Sequence, residues 1–142
     1  MKCPDCFPVT AGTSAEESDL ANFIKDRTKC KILLNDRTLI FPYELDIYIP
    51  EKNLAFEFDG LYWHSAEHKD KNYHLMKSAM CSEKNVQLIH IFENDWIYRN
   101  DIVKSRIENL LNINESRIFA RKCQIREING KTAYDFYEKN HI

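Results

Sequence analysis

Residues 43–49 alternate in period two, Pro50-Glu51-Lys52-Asn53 breaks the run, and residues 54–58 resume it. A period of two is the signature of extended chain, because successive side chains of a strand point to opposite faces. Two strands joined by a short turn are therefore predicted. On the first, Leu45, Ile47 and Ile49 share one side, and Glu44, Asp46 and Tyr48 the other. On the second, Glu57 and Asp59 share a face opposite Phe56 and Phe58. If the hairpin register matches, Asp46 and Glu57 meet at a common sheet end. Carboxylates so close repel unless a cation lies between them, and a hard divalent ion bound by oxygen is the usual solution. The chemistry this suggests is metal-assisted cleavage of a phosphodiester.

Length and composition narrow the setting. A chain of 142 residues makes one ordinary domain with a real core. With 44% hydrophobic and 30% charged residues it is neither a disordered tail nor a membrane protein, and no apolar run approaches bilayer length. Met1-Lys2-Cys3-Pro4-Asp5-Cys6 has no apolar segment like that of a signal peptide, so a reducing cytosol without structural disulfides is expected. Only Cys3 and Cys6 have metal-ligand spacing, and a zinc site would need two further ligands from a missing upstream segment. The bland alternative is a disordered tail over residues 1–12. Cys30, Cys81 and Cys123 are expected to be buried small hydrophobes. A net charge of −2 counts against a nucleic-acid binder, although carboxylates that gather a metal lower it without lying where phosphates dock. Basic groups at Lys69 and Lys71, and at Arg117, Arg121, Lys122 and Arg126, are consistent with weak, salt-dependent DNA affinity.

Along the rest of the chain, Ser14 and Glu17 read as a capping box opening a helix over 15–27. Residues 31–34 and 38–41, with Asn35-Asp36 as the turn, look like a hairpin that Pro42 ends. A helix is predicted over 71–84 with Leu75, Ala79 and Met76 facing inward, followed by a strongly apolar strand over 86–92. That order suggests a βαβ crossover into a sheet buried on both faces. Trp96, Ile97, Ile102, Val103, Ile107, Leu110 and Leu111 mark one further helix. One or two short strands over 117–128 and a last helix over 132–139 complete the expectation.

Helix, three-stranded meander, helix, strand, helix is the order of the PD-(D/E)xK nuclease superfamily, which this chain resembles in motif as well. Asp46 stands for the first Asp, Glu57-Phe58-Asp59 for the (D/E)xK triplet, and Asp59 replaces the family lysine. Phe58-Asp59-Gly60-Leu61-Tyr62-Trp63-His64 looks like the run of the very-short-patch repair endonucleases. Tyr43-Glu44-Leu45-Asp46-Ile47-Tyr48-Ile49-Pro50, Asp59 through Ser65, and Leu88-Ile89-His90-Ile91-Phe92-Glu93 resemble phage homing endonucleases of the EDxHD type. The resemblance implies an α/β fold with a restriction-endonuclease-like core, a mixed central sheet flanked by helices. It implies a Mg²⁺-dependent endonuclease, with Mn²⁺ as a substitute, acting on double-stranded DNA as a monomer or transient dimer in the cytoplasm of a phage-infected bacterium. It also implies a remnant cysteine-containing tail over 1–12, a nuclease domain over 13–115 and an extension over 116–142 leading toward a further domain.

Each candidate residue has an ordinary reading beside the functional one. Asp46 and Glu57 are the expected metal ligands, or a strand-end Asp and a core-edge Glu. Asp59 is a third metal ligand, or the residue that turns the chain into Gly60. His64 is a general acid or base, because its ordinary pKa lies near neutrality, or a loop residue. Glu17 is a helix cap, or the Glu that an N-terminal helix brings to the metal in the resembled families. His74 and Lys77, three apart on one helix, contact the phosphate or replace the missing lysine, or lie on a solvated face. Tyr62 and Trp63 stack on bases or belong to the core. The competing function is a DNA-binding or interaction domain that keeps the fold and has lost turnover, supported by the lysine replacement. A cysteine- or histidine-based metalloprotein is disfavoured, since Cys30, Cys81 and Cys123 lack pair spacing.

Overall fold

The protein is described by a computed structural model over residues 14–60, 72–113 and 118–141. The first helix, α1 (Ala15–Arg27), begins where the sequence predicts, with Ser14 Oγ accepting from the Glu17 N–H at 3.0 Å. Acidic Glu16 and Glu17 in the first turn and basic Lys25 and Arg27 in the last match the helix dipole. Strand β1 (Leu33–Asp36) follows, then β2 (Leu45–Ile49), a 3-10 turn over Pro50–Lys52, and β3 (Leu54–Asp59). Asn53 ends that turn at φ 48°, a left-handed conformation that asparagine tolerates, and its N–H closes on the Pro50 carbonyl.

The expected hairpin over 31–41 does not form. Asp36 instead accepts from Thr38 Oγ1 at 2.8 Å and from the Leu39 N–H at 3.1 Å, which bends the chain out of extended conformation. Residues 38–41 are turn and bend, and β1 pairs antiparallel with β2, Leu34 opposite Ile47.

Helix α2 (Tyr73–Glu83) and strand β4 (Gln87–Phe92) supply the expected crossover, for β4 runs parallel to β3 with Phe56 opposite Ile89 and Glu57 opposite His90. Asn85, at φ 56°, turns the chain between them. The sheet has the order β1-β2-β3-β4, with the β1–β2 and β2–β3 pairs antiparallel.

The single helix expected around 96–111 is two: α3 (Glu93–Tyr98) and α4 (Asn100–Leu110). Arg99 lies between them at φ −130°, and the Asn100 side-chain amide donates to the Trp96 carbonyl at 2.8 Å. That bond satisfies a helix-end carbonyl from the side and permits the bend. No strand forms over 118–129. Ile118 and Ile128 fall on one period-two face, Phe119 and Ile125 on the other, so no single side offers a sheet a continuous apolar row. A 3-10 turn over Ala120–Lys122 and helix α5 (Gly130–Asn140), capped by Asn129, occupy this region, and α5 buries none of its residues. Cys123, expected to be buried, is exposed for the same reason, while Cys81 is buried and Cys30 half-buried.

The core has two layers of contact on the sheet. On one face Leu20 and Ile24 of α1, Trp96 of α3 and Val103 and Ile107 of α4 pack on Ile47, Ile49, Leu54, Phe56, Ile89 and Ile91. On the other, Cys81 of α2 packs with Ala55, Leu45, Ile40 and Val86. Leu45 thus departs from the alternation that grouped it with Ile47 and Ile49. This is a mixed α/β fold with a four-stranded mixed sheet and five α-helices among the described residues. No helix among them is long and apolar enough to cross a membrane.

Candidate functional site

Period-two alternation on β3 sends Phe56 into the larger core and turns Glu57 and Asp59 toward α2. Continuing the Ile47–Phe56 pairing by one residue sets Asp46 against Glu57. There the two carboxylates replace ladder bonds at the end of the strand pair. Glu57 Oε1 accepts from the Asp46 N–H at 3.3 Å, and Asp46 Oδ2 accepts from the Phe58 N–H at 2.8 Å. The structure thus brings Asp46 and Glu57 together as the alternation implies.

Burial makes the pair costly. Glu57 is only 4% exposed. Removal from water, and next the charge of Asp46, push its carboxyl from an ordinary 4.5 up to about 7. Asp46 is likewise raised, first by burial, against the pull of the Phe58 N–H and Lys77. Glu17, half-buried on α1, is raised by burial and then by Asp46, so the first helix delivers a third carboxylate into the field of this pair.

The countercharge comes from α2. Lys77 is 2% exposed and its Nζ donates to Glu57 Oε2. Burial pulls the Lys77 ammonium down, but Glu57's charge and hydrogen bond outweigh it and the net direction is upward. Lys77 is therefore no solvated-face residue. The helix is rotated from the expected phase: Leu75, Met76 and Ala79 are exposed, and Lys77 and Cys81, four apart, are the buried positions. Burying Glu57 without a cation would cost several kcal/mol, more than the gain from turning Leu75 inward, about 1.5–3 kcal/mol.

Asp59, 4% exposed, ends the same face of β3. Its Oδ2 lies 2.8 Å from His90 Nδ1 on β4, and its Oδ1 lies 3.7 Å from His74 Nδ1 on α2. His90 Nε2 is 3.3 Å from Ser78 Oγ. The hydrogen bond to Asp59 raises the His90 pKa against the opposing effect of burial. Asp59, His74 and His90 place one ligand atom each within 4.8 Å of one another, a group able to hold a metal ion. Reading the residues singly missed His90 as a site residue. The signal available was an imidazole in the middle of the apolar run 88–92, aligned by period two with Leu88 and Phe92. Tyr62, Trp63, His64, Lys69, Lys71, Cys3 and Cys6, all singled out in the sequence, lie outside the described residues.

A pH dependence of stability follows from Glu57. Its folded-state pKa lies above its ordinary value, so the folded protein holds the proton more tightly than the unfolded chain. The stabilisation is complete below about pH 4.5 and is lost as pH rises through about 7, amounting to roughly 3 kcal/mol for this group. Asp46 and His90, both raised, act in the same direction. Urea denaturation in EDTA is expected to show a lower midpoint at pH 7.5 than at pH 5, and a midpoint that rises over this interval would contradict the assignment.

No protein-family model matches the chain, and no curated protein matches it. Among solved structures, a chain described as "Homing Endonuclease I-Bth0305I Catalytic Domain" is similar, with a TM-score of 0.56 and 19% sequence identity over 72% of this chain and 99% of that one. At that identity the likeness is one of fold: the four-stranded sheet that carries Asp46, Glu57 and Asp59 is built into a mixed α/β architecture similar to that of a homing endonuclease catalytic domain.

Proposed function

We propose that the chain is a metal-dependent DNA endonuclease of homing-endonuclease type, with a PD-(D/E)xK core related to the very-short-patch repair enzymes. The observation that carries this reading is the meeting of Asp46 and Glu57 on one sheet face, both with raised pKa values, with Glu17 in their field. A buried Glu57 and a half-buried Asp46 held this close suit a divalent cation, whose binding offsets both the desolvation and the mutual repulsion. The similar fold of a homing endonuclease catalytic domain supports the choice of DNA as substrate.

In this proposal Asp46 and Glu57 would hold Mg²⁺, for which Mn²⁺ would substitute. The ion would neutralise charge on the scissile phosphate and acidify a water for attack. The protein's own groups do the rest. Lys77 favours the ionised form of Glu57 and holds it in place, since its ammonium lowers the carboxyl's proton affinity against burial and Asp46. Each oxygen of Glu57 has a second lone pair beyond the one given to Lys77 or to the Asp46 N–H. His64 takes or gives the proton of the reacting oxygens, Tyr62 and Trp63 stack on bases, and Lys69 and Lys71 contact phosphates.

The test is incubation of the purified chain with supercoiled plasmid and Mg²⁺ or Mn²⁺, beside Asp46→Ala and an EDTA control. Conversion to nicked or linear DNA by the wild type alone is expected. Equal cutting by both proteins would sink the site assignment, and DNA binding without cutting would favour a domain that has kept the fold and lost turnover.

A further inference from the structure

We infer that Asp59, His74 and His90 form a binding site for a divalent transition-metal ion, distinct in chemistry from the all-oxygen Mg²⁺ position at Asp46 and Glu57. The three side chains come from three elements: the last residue of β3, the first turn of α2 and the middle of β4. The parallel β3–β4 register puts His90 opposite Glu57, so its ring lies against the neighbouring inward residue of β3, Asp59. Helix α2 then sets the His74 ring 5.4 Å from that of His90, with interplanar angle 77°.

The distances suit an ion after small adjustment. Ligand atoms about 2.0–2.2 Å from a metal stand roughly 3.0–3.5 Å from one another. Measured from its two different oxygens, Asp59 stands 2.8 Å from His90 and 3.7 Å from His74, on either side of that separation. The whole set lies within 4.8 Å, and His74, with 31% of its side chain exposed, has room to close the remainder. The two oxygens of a single carboxylate each face a different imidazole, an arrangement that a simple Asp–His hydrogen bond does not need.

Donor type sets the ion. Two imidazole nitrogens and one carboxylate oxygen suit Zn²⁺, Co²⁺, Mn²⁺ or Fe²⁺, whereas Mg²⁺ prefers oxygen and holds its water tightly. Three protein ligands leave at least one position open, as in catalytic rather than structural sites. The ion takes the imidazole lone pairs, so its binding requires both histidines to be neutral and is pH-dependent. What the ion would do in DNA cleavage rests on the nuclease reading; that it binds does not.

The experiment is titration of the full chain with Co²⁺ in metal-free buffer at pH 7.5, read by visible ligand-field absorption and by calorimetry, with Mg²⁺ as competitor. One Co²⁺ per chain is expected, undisturbed by Mg²⁺ in hundredfold excess. The affinity should fall at least tenfold in His74→Ala and in His90→Asn, whose amide keeps a hydrogen bond to Asp59 but ligates poorly. Asp46→Asn and a Cys3→Ser/Cys6→Ser double variant should retain the site. Circular dichroism checks that each variant is folded, and His74→Ala, at a half-exposed position, carries the test if His90→Asn is not. Unchanged Co²⁺ affinity in folded His74→Ala, or displacement of Co²⁺ by equimolar Mg²⁺, would overturn the proposal. A chain that binds Co²⁺ here but cuts no DNA keeps the site and removes the nuclease reading; one that cuts with Mg²⁺ and binds no Co²⁺ does the reverse.

Discussion

Lys77→Met is expected to destabilise the protein by about 3–5 kcal/mol at pH 7.5, because it leaves the Glu57 carboxylate buried without its cation. Methionine fills nearly the same volume and adapts to irregular space, so lost packing contributes little. The effect is electrostatic and therefore has a pH signature. Glu57 sits at about 7 with Lys77 opposing burial and the Asp46 charge. Without the ammonium it rises further, and at pH 5 the variant carries a neutral, far less costly carboxyl. The deficit should shrink by more than half between pH 7.5 and pH 5 in urea denaturation. Adding Glu57→Gln to Lys77→Met should recover most of the loss at pH 7.5, since an amide needs no countercharge. A Lys77→Met protein within about 1 kcal/mol of wild type at pH 7.5 would mean that the ion pair does not hold α2 on the sheet.

The second large effect separates activity from folding. Asp46→Asn keeps a side-chain oxygen to accept from the Phe58 N–H, the bond that wild-type Asp46 makes at 2.8 Å. Burial already disfavours the Asp46 charge, so the neutral amide should leave stability within about 1 kcal/mol of wild type or raise it. Cleavage should fall by about 10³-fold, roughly 4 kcal/mol of barrier, through loss of a charged ligand to the ion. Glu57 should simultaneously titrate lower, because one of the two influences that raise it has gone. Quantitative plasmid nicking beside thermal denaturation reads both properties. Activity within tenfold of wild type in a folded Asp46→Asn protein would remove Asp46 from the chemistry.

What could be read from the residues alone was whatever local period and capping decide. The α1 start at Ser14, the β2 and β3 alternation that joins Asp46 to Glu57, and the crossover through α2 into β4 all follow from such rules. The failures have tertiary causes. Hydrophobicity along α2 predicts Leu75, Met76 and Ala79 inward, whereas the folded helix buries Lys77. The rotation is dictated by a carboxylate twenty residues away on another element, and no periodicity within the helix encodes it. Local sequence around His90 carries no sign of its pairing for the same reason, since its partner Asp59 lies thirty-one residues upstream. The lost hairpin and the split of α3 from α4 turn on single side chains, Asp36 and Asn100, that capture nearby backbone groups.

The central claim is that Asp46 and Glu57 grip one divalent ion. Crystals grown with Mn²⁺ and examined for anomalous scattering test it most directly. The expected result is a peak at about 2.0–2.4 Å from an oxygen of Asp46 and an oxygen of Glu57, with Lys77 still in contact with Glu57. A Mn²⁺-saturated, DNA-cleaving protein with no peak touching either carboxylate would contradict the account.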